Sequence, residues 1–309
     1  MIRVQNNGLG VQSTTLFIMA HEGLIEPVDY SVFADTQEEP AAVYEHLTWM
    51  RTLPAPVPII LVGTAGKLGD DLVKGCDHRG NKKTKPGADG STRFASIPAF
   101  MAEHHETRIV TGKRVDEGMV RRQCTKEYKV DVVERIIRYQ ILGLKYRQRI
   151  PKGTSIVQLF GISWDEKGRA ERISRTFDKL PWAVPQFPLI EQKMTREDCK
   201  DYLKSRVPHE VPRSACVFCP YKQASEWKKT KDSQKEWSRA VEVDRSLRLE
   251  SSIVKHTLYL HRNCIPLEMV DIEDEIKKEE ARKKRPLFEL APLLDDCSEP
   301  DCGMGMCGV

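Results

Sequence analysis

Two groups of residues in this 309-residue chain have the types and spacing that chemistry requires. The first is the run Gly8-Leu9-Gly10-Val11-Gln12-Ser13-Thr14, which directly follows a short strand-like segment. Glycines between a strand and a helix let the backbone approach a phosphate, which then meets amide donors and the positive end of the helix. Ser13 and Thr14 add hydroxyl groups. The run has neither the third glycine of the dinucleotide fingerprint nor the lysine of the Walker loop, and a plain tight turn remains the alternative.

The second group is the cysteines, whose odd number indicates metal or redox chemistry rather than disulfides in a reducing compartment. The nine lie at positions 76, 124, 199, 216, 219, 264, 297, 302 and 307. Cys216 and Cys219 have the Cys-x-x-Cys spacing, which lets two thiolates bind one metal centre. Cys302 and Cys307 lie in a glycine-containing tail, from which a thiolate could swing into a site as a nucleophile.

The elements around the glycine run predict an α/β fold. Strands are expected at 2–5, 30–34 and 58–62, with a helix after the glycine run and another from Pro40. This alternation predicts a mostly parallel, Rossmann-like sheet that is flanked by helices. Ligands of such sheets bind at the carboxyl ends of the strands, where both the glycine run and Asp35 are expected.

The rest of the chain predicts a second, smaller region. Further helices are expected at 129–144 and 195–204, and a further strand at 155–162. We therefore expect a nucleotide-binding α/β domain over residues 1–206, in which residues 63–93 form a mobile lid or insertion. Residues 207–309 are expected to form a smaller helical subdomain that contains cysteines and ends in a flexible tail.

Composition bounds the partners of the chain. Its net charge of +4 suits an anionic substrate without demanding a nucleic acid. Because the chain has no apolar run of about 18 residues and no signal region, we expect a cytoplasmic protein that does not enter a membrane. Trp227 and Trp237 lie among lysines, and such surfaces can stack single-stranded bases. A nucleic acid therefore stays as an alternative substrate, although core anchors are the more usual role of such tryptophans.

Six segments of the chain resemble motifs of the phosphoadenosine phosphosulfate reductase-like family, which belongs to the pyrophosphatase-loop (PP-loop, adenine nucleotide alpha hydrolase-like) superfamily. The segments occur in the same order as the motifs of that family. The resemblance covers about residues 2–225. The segments are Gly8–Ser13, Phe33–Thr36 with Pro40, Arg122–Lys129, Gly161–Glu166 with Arg169 and Arg172, Phe187–Asp198, and Cys216–Pro220. Three features depart from the family pattern. Val11 and Gln12 replace the Lys and Asp of many members that release pyrophosphate, Ser163 replaces an Arg, and the reductases' Glu-Cys-Gly-x-His tail is absent.

The resemblance implies an adenine nucleotide, either ATP or an adenylyl sulfate, and a [4Fe-4S] cluster. The implied nucleotide-binding residues are Gly8, Gly10, Gln12, Ser13, Thr14, Asp35, Thr36, Arg122, Gly161 and Arg172. The implied ligands of the cluster are Cys124, Cys216 and Cys219, with Cys307 as a fourth ligand or with one iron left open. A single zinc with His209 or Cys264 as fourth ligand is the alternative.

Two reactions fit the resemblance, and the implied catalytic residues are Cys307, Cys302 and Lys129. In the first, a terminal thiolate attacks the sulfur of an adenylyl sulfate, and a thioredoxin-like donor then releases sulfite. In the second, ATP adenylates an oxygen of a nucleic acid, pyrophosphate leaves, and sulfur from a cysteine-desulfurase-type donor displaces the adenylate. A non-catalytic nucleotide or iron-sulfur sensor is the third interpretation.

Overall fold

A computed structural model describes residues 1–74, 97–102, 118–120, 122–249 and 257–283. These residues divide between two units. The first unit comprises residues 1–67 and 124–215, and the second comprises the described parts of 68–123 and 216–302. Each unit thus combines separate stretches of chain, whereas the sequence analysis placed a single boundary after residue 206.

The elements alternate along the first unit and are short in the second. The strands are β1 (Ile2–Asn6), β2 (Tyr30–Ala34), β3 (Ile59–Gly63), β4 (Phe100–Ala102), β5 (Gly118–Met119), β6 (Ile156–Phe160), β7 (Ala183–Gln186) and β8 (Thr257–Tyr259). The α-helices are α1 (Val11–His21), α2 (Ala41–Met50), α3 (Leu68–Lys74), α4 (Asp131–Arg135), α5 (Lys167–Phe177), α6 (Pro188–Glu191), α7 (Arg196–Leu203), α8 (Ala224–Asp232), α9 (Gln234–Leu249) and α10 (Ile272–Lys283). The π-helical turns Thr125–Val130 and Ile136–Ile141 flank α4, and 3-10 turns occur at Trp164–Glu166 and Leu267–Met269.

The first unit is built on a five-stranded sheet with the order β3-β2-β1-β6-β7, in which every pair of neighbours is parallel. The predicted parallel α/β sheet is therefore confirmed. The chain moves outward from β1 to β3 on one side, and then returns to place β6 on the other side of β1. Asn6 pairs with Phe160, so the carboxyl ends of β1 and β6 lie side by side. Such a reversal of strand order opens a crevice beyond the strands, which is where open α/β sheets bind their ligands.

Helices cover both faces of this sheet, which explains why β2 and β6 are apolar along most of their length. One core joins a sheet face to α1, α2 and α7; among its members are Phe17, Phe33, Met50, Leu159 and Leu203. The other core joins the opposite face to α4 and α5; among its members are Val32, Val132, Ile136, Phe160 and Ile173. The elements that carry the glycine run and the segment after β6 are thus anchored by burial.

Two local differences from the sequence prediction have physical reasons. Residues 68–74, inside the predicted insertion, form α3, because Leu68 and Leu72 are spaced to bury one helix face; residues 75–93 lie outside the described part of the chain. β7 has no counterpart among the strands expected from the sequence. This strand contains Pro185, which a sheet accepts because β7 is its edge.

The second unit contains a small antiparallel sheet with the order β5-β4-β8, packed with α3, α8, α9 and α10. The sequence predicted a mainly helical subdomain after residue 206 and no strands at 100–102 or 118–119, since strands of two or three residues leave almost no periodicity. Buried Asp244 accepts hydrogen bonds from the amides of Leu260 and Leu267, both at 3.0 Å, and so fixes β8 to α9. No helix in the described ranges is both long and apolar enough to cross a membrane.

Candidate functional site

The start of α1 is open to an anion. Gly10 is the N-cap in an extended conformation (φ −99°, ψ −178°) and provides no side-chain acceptor. The first-turn amides of Val11, Gln12 and Ser13 have no partner within the helix, and this turn carries no acidic residue. A Cβ built on Gly10 would meet no atom within 4 Å, so the space beside this residue is empty. The positive end of the helix is therefore available to a negatively charged group.

A chain of buried polar side chains holds the glycine run in place. Gln5 Nε2 donates to the carbonyl of Ser13 at 2.6 Å, and Ser31 Oγ donates to Gln5 Oε1 at 3.2 Å. Asn7 Nδ2 donates to the same Ser31 hydroxyl at 2.9 Å, while Asn7 Oδ1 accepts from the amide of Leu9 at 2.7 Å. Side chains from β1 and β2 thus fix the position of the first turn of α1 before any ligand arrives.

The run itself is a sharp turn. Leu9 has φ +57°, a left-handed conformation that is uncommon outside glycine, and its side chain is fully buried. The amide of Gly8 donates to Ser13 Oγ at 3.2 Å. The hydroxyl of Ser13 therefore closes the turn, and the first turn of α1 follows directly after it.

Gly161, directly after β6, brings a second segment against the glycine run. A Cβ at this residue would lie 2.8 Å from the amide nitrogen of Ser13 and 2.9 Å from the carbonyl carbon of Gln12. These are backbone atoms that cannot turn away, so only glycine fits. Gln12 and Gly161, which the sequence analysis assigned to one nucleotide site, are in fact neighbours.

Gln12 also joins the two segments through its side chain. Gln12 Nε2 donates to Glu166 Oε2 at 3.0 Å, and Arg169 donates to Glu166 Oε1 at 3.2 Å. The negative charge of Glu166 next to the helix start is therefore balanced by Arg169. Arg172, one of the two predicted nucleotide-binding arginines, lies one turn further along α5 and is exposed. Arg169 is the α5 arginine that the structure places at this junction.

The segment after β2 contributes a fixed carboxylate at the same edge of the sheet. Asp35 Oδ1 accepts from the amide of Gln37 at 2.7 Å and from the hydroxyl of Tyr44 at 3.0 Å. Burial, and next the negative charge of Asp35, raise the pKa of Tyr44 above its usual range. Thr36 is buried. Asp35 is therefore held in one orientation by two donors.

Lys129 lies in the π-helical turn that follows Cys124, and it is buried. Its ammonium lies 3.6 Å from Glu39 Oε1, and Ser214 Oγ donates to Glu39 Oε2 at 3.1 Å. Buried charges are costly unless they are paired, and this pairing accounts for both groups. The predicted catalytic lysine is thus in contact with a carboxylate from the segment after β2.

A pair of histidines, which the sequence analysis did not find, lies behind the glycine run. Thr14 Oγ1 is 2.8 Å from His46 Nε2, and His46 Nδ1 is 2.8 Å from His209 Nε2. His46 is fully buried and stacks on Trp49 at 5.4 Å between ring centroids. Burial, and to a lesser degree the neighbouring His209, lower the pKa of His46 to about 4. The hydroxyl of Thr14, predicted to bind the nucleotide, therefore contacts buried His46 instead. His209, the alternative zinc ligand, contacts the other ring nitrogen of His46.

The cysteines of the predicted cluster belong to different units. Cys124 is in the first unit, whereas Cys216 and Cys219 lie in the second, in a turn closed by a 2.9 Å hydrogen bond from the amide of Cys219 to the carbonyl of Cys216. Within the ranges that the structure describes, no three His, Cys, Asp or Glu residues form a group that could hold a metal ion. Cys302 and Cys307 lie outside the described residues, so the predicted cluster stays a prediction.

Arg122 and two further cysteines have structural surroundings of their own. Arg122 belongs to the second unit, where its guanidinium lies 5.4 Å from the ring centroid of Tyr221. Cys199 is buried, and burial raises its pKa to about 11. Cys264 is also buried, with its Sγ 3.5 Å from the carbonyl of Arg262. Both thiols fit the role of small core residues.

The chain has no match among protein-family models, curated proteins or solved structures. Its resemblance to the phosphoadenosine phosphosulfate reductase-like family therefore remains an interpretation of its motifs.

The contact at Gly161 predicts that alanine destabilises the fold at this position but not at Gly168. Gly161→Ala places a methyl group against the Ser13 backbone and should lower the free energy of unfolding by about 1–3 kcal/mol, as overpacking does. Gly168→Ala is the control, because its Cβ meets nothing within 4 Å and the residue lies inside α5. It should leave stability unchanged or raise it by up to about 1 kcal/mol. Urea unfolding of both variants measures this, and equal effects would contradict the packing described here.

His46 predicts a pH dependence of stability. Because its pKa of about 4 in the folded chain lies below the ordinary 6.5, the unfolded chain takes up the proton first as the pH falls. This contribution is fully present above pH 6.5 and is lost as the pH falls toward 4, by about 2 kcal/mol at pH 5. In His46→Gln, which cannot titrate, the difference in unfolding free energy between pH 7.5 and pH 5 should shrink by that amount. An unchanged difference would show that His46 does not titrate as its burial requires.

Proposed function

We propose that this chain is an adenine-nucleotide-binding enzyme of sulfur metabolism, similar to the phosphoadenosine phosphosulfate reductase-like family, with the nucleotide phosphates over the first turn of α1. One observation carries the proposal: first-turn amides with no acceptor inside the helix lie next to the empty space beside Gly10, at the place where the strand order reverses between β1 and β6. The adenine nucleotide alpha hydrolase-like superfamily is part of this proposal. Its support is the parallel sheet together with the order of the motifs.

The charges around the helix start favour recognition by the backbone. Glu166 is balanced by Arg169, and Lys129 is balanced by Glu39. Neither pair leaves an excess of charge, so the aligned amides and the helix dipole supply the attraction for a phosphate. Gln12 is uncharged, and its side chain donates a hydrogen bond to Glu166. The glycine run contains no lysine that could neutralise a triphosphate. This composition favours a compact anion such as an adenylyl phosphate or sulfate.

The donor set of the cysteines fits a soft metal centre. The turn that contains Cys216 and Cys219 carries two thiols three residues apart, the spacing that thiolate-bound zinc and iron-sulfur sites share. With Cys124 and Cys307 these residues would hold a [4Fe-4S] cluster, and zinc is the alternative. A cluster would supply electrons or a site for sulfur. This chain's residues would supply the thiolates and the nucleotide site.

Two reactions are compatible with this site. Reduction of an adenylyl sulfate needs a thiolate, for which Cys307 and Cys302 are the candidates, and a thioredoxin-like electron donor. Thiolation of a nucleic acid needs ATP, the release of pyrophosphate and a sulfur donor. Sulfite release from adenylyl sulfate identifies the first, and pyrophosphate release from ATP in the presence of nucleic acid identifies the second. Tight nucleotide binding without either product would identify a sensor.

Gly10→Ala tests the nucleotide site. Because the added methyl group meets no protein atom and the backbone conformation suits alanine, the fold should be kept, with a loss of up to about 1 kcal/mol because alanine is a poorer N-cap than glycine. The methyl would occupy the space that a phosphate needs beside the helix amides, so affinity should fall at least about tenfold. Calorimetric titration with ATP and with adenosine phosphosulfate measures this, while a cooperative unfolding transition close to that of the unmodified chain confirms the fold. Equal binding by both proteins would mean that the phosphates lie elsewhere.

Iron content tests the cluster separately. Protein purified without oxygen should contain iron and sulfide, and Cys216→Ser should lose most of both because one thiolate ligand is gone. Cys199→Ala, which removes a buried thiol from α7, should keep them. A colourless protein with one zinc, or with no metal, would reject the cluster while leaving the nucleotide site to the test above.

A further inference from the structure

The segment between the π-helical turn Ile136–Ile141 and β6 carries a concentration of positive charge that the nucleotide site does not use. Residues 144–154, here the basic loop, contain Lys145, Arg147, Arg149 and Lys152 and no acidic residue. The basic loop leads into the amino end of β6. The glycine run follows the carboxyl end of β1, which is parallel to β6. The basic loop and the glycine run therefore lie at opposite ends of the strands, here called the amino edge and the carboxyl edge of the sheet.

The four cations are exposed, and none of them forms an ion pair in the part of the chain that the structure describes. Cations nearby in sequence behave differently: Lys126 pairs with Asp131 at 2.8 Å, and Arg138 with Glu134 at 3.3 Å. Four unneutralised charges within eight residues create a local positive potential that attracts an anionic polymer.

The tip of the basic loop is ordered by Gln148. Its amide donates to the carbonyl of Lys145 at 2.9 Å, and its side-chain Oε1 accepts from the amide of Lys145 at 2.9 Å. Arg138 donates to the carbonyl of Gln148 at 2.8 Å and ties the turn to the preceding helical turn. Tyr146 and Arg147 are the two central residues of this turn, and both point away from the core.

Tyr146 is 77% exposed, the largest exposure of any aromatic side chain in the described ranges. The guanidinium of Arg147 lies 5.2 Å from its ring centroid. An exposed aromatic ring contributes no hydrophobic stabilisation to the fold. A ring with a cation beside it can instead serve as a platform on which a base stacks.

Arg147 adopts φ +63°, a conformation in which glycine or asparagine is the usual residue. A long cationic side chain at this position strains the backbone without any contact in the protein interior to offset the cost. Glycine would relieve this strain, so a replacement of Arg147 by glycine removes the charge without an expected loss of stability.

We infer that the basic loop binds single-stranded nucleic acid, with the four cations on phosphates and Tyr146 stacked on an unpaired base. A duplex offers no free base face, and this small turn has neither a helix nor a β-ribbon to enter a groove. Insertion into a membrane surface needs exposed aliphatic or tryptophan side chains, and the basic loop has only the half-buried Ile150 and Leu144. Trp227, which the sequence suggested for base stacking, is 1% exposed and therefore unable to stack on a base.

Two variants separate stacking from charge. Tyr146→Ala should weaken binding of a fluorescent oligothymidylate of about 12 nucleotides roughly tenfold, with the salt dependence unchanged. Arg147→Gly should weaken binding and reduce the slope of log affinity against log salt by about 0.7, from about −3 for four contacts. Its unfolding temperature should stay equal or rise, because glycine relieves the positive φ. If Arg147 had a structural role, Arg147→Gly would instead have a lower unfolding temperature.

Lys193→Gly is the matched control for Arg147→Gly. Lys193 is an exposed cation with φ +55° outside the basic loop, so its variant removes the same charge and relieves the same kind of strain. It should bind the oligonucleotide like the unmodified chain. The inference is overturned if Lys193→Gly and Arg147→Gly have the same effect, if Tyr146→Ala binds unchanged, or if blunt duplex or phosphatidylserine vesicles bind as tightly as the single strand.

Discussion

The first unit depends on one close approach: the segment after β6 touches the backbone of Ser13, because Gly161 has no side chain. This contact brings together the carboxyl ends of two adjacent strands, and the Gln12–Glu166 hydrogen bond joins the same two segments. On the side of β1, the side chain of Gln5 donates a hydrogen bond to the carbonyl of Ser13. The first turn of α1 is therefore fixed from both sides, and its amides stay aligned without a ligand. A site prepared in this way loses little entropy when an anion binds.

Buried and exposed charges are used differently at the two edges of the sheet. At the carboxyl edge, Lys129 and Arg169 are paired with carboxylates, and recognition is left to the backbone. At the amino edge, the basic loop leaves its cations to solvent. Since a paired cation has less attraction for a second anion, the carboxyl edge suits one ligand of defined shape. The amino edge suits an extended polyanion that is recognised by charge and stacking.

Local patterns were sufficient to predict β1, β2, β6 and the glycine run, because apolar periodicity and turn residues are written in consecutive positions. Contacts between distant segments could not be predicted. The His46–His209 pair links residues 163 positions apart, and nothing in either local sequence indicates it. Arg172 was preferred over Arg169 on the motif alone, whereas the position of each around α5 decides which reaches Glu166. Gln5 and Ser31 are polar residues in two neighbouring buried strands, and nothing in either local sequence indicates that their side chains form a hydrogen bond.

Hydrogen exchange at the start of α1 tests the central claim most directly. The amides of Val11, Gln12 and Ser13 lack acceptors inside the helix, so in the free protein they should exchange faster than those of the following turns. Saturating adenosine phosphosulfate or ATP should slow exchange in a peptide covering residues 8–14, and should leave residues 144–154 unchanged. Exchange at residues 8–14 that is unaltered while nucleotide is demonstrably bound would contradict the account, because the phosphates would then have no contact with the helix start.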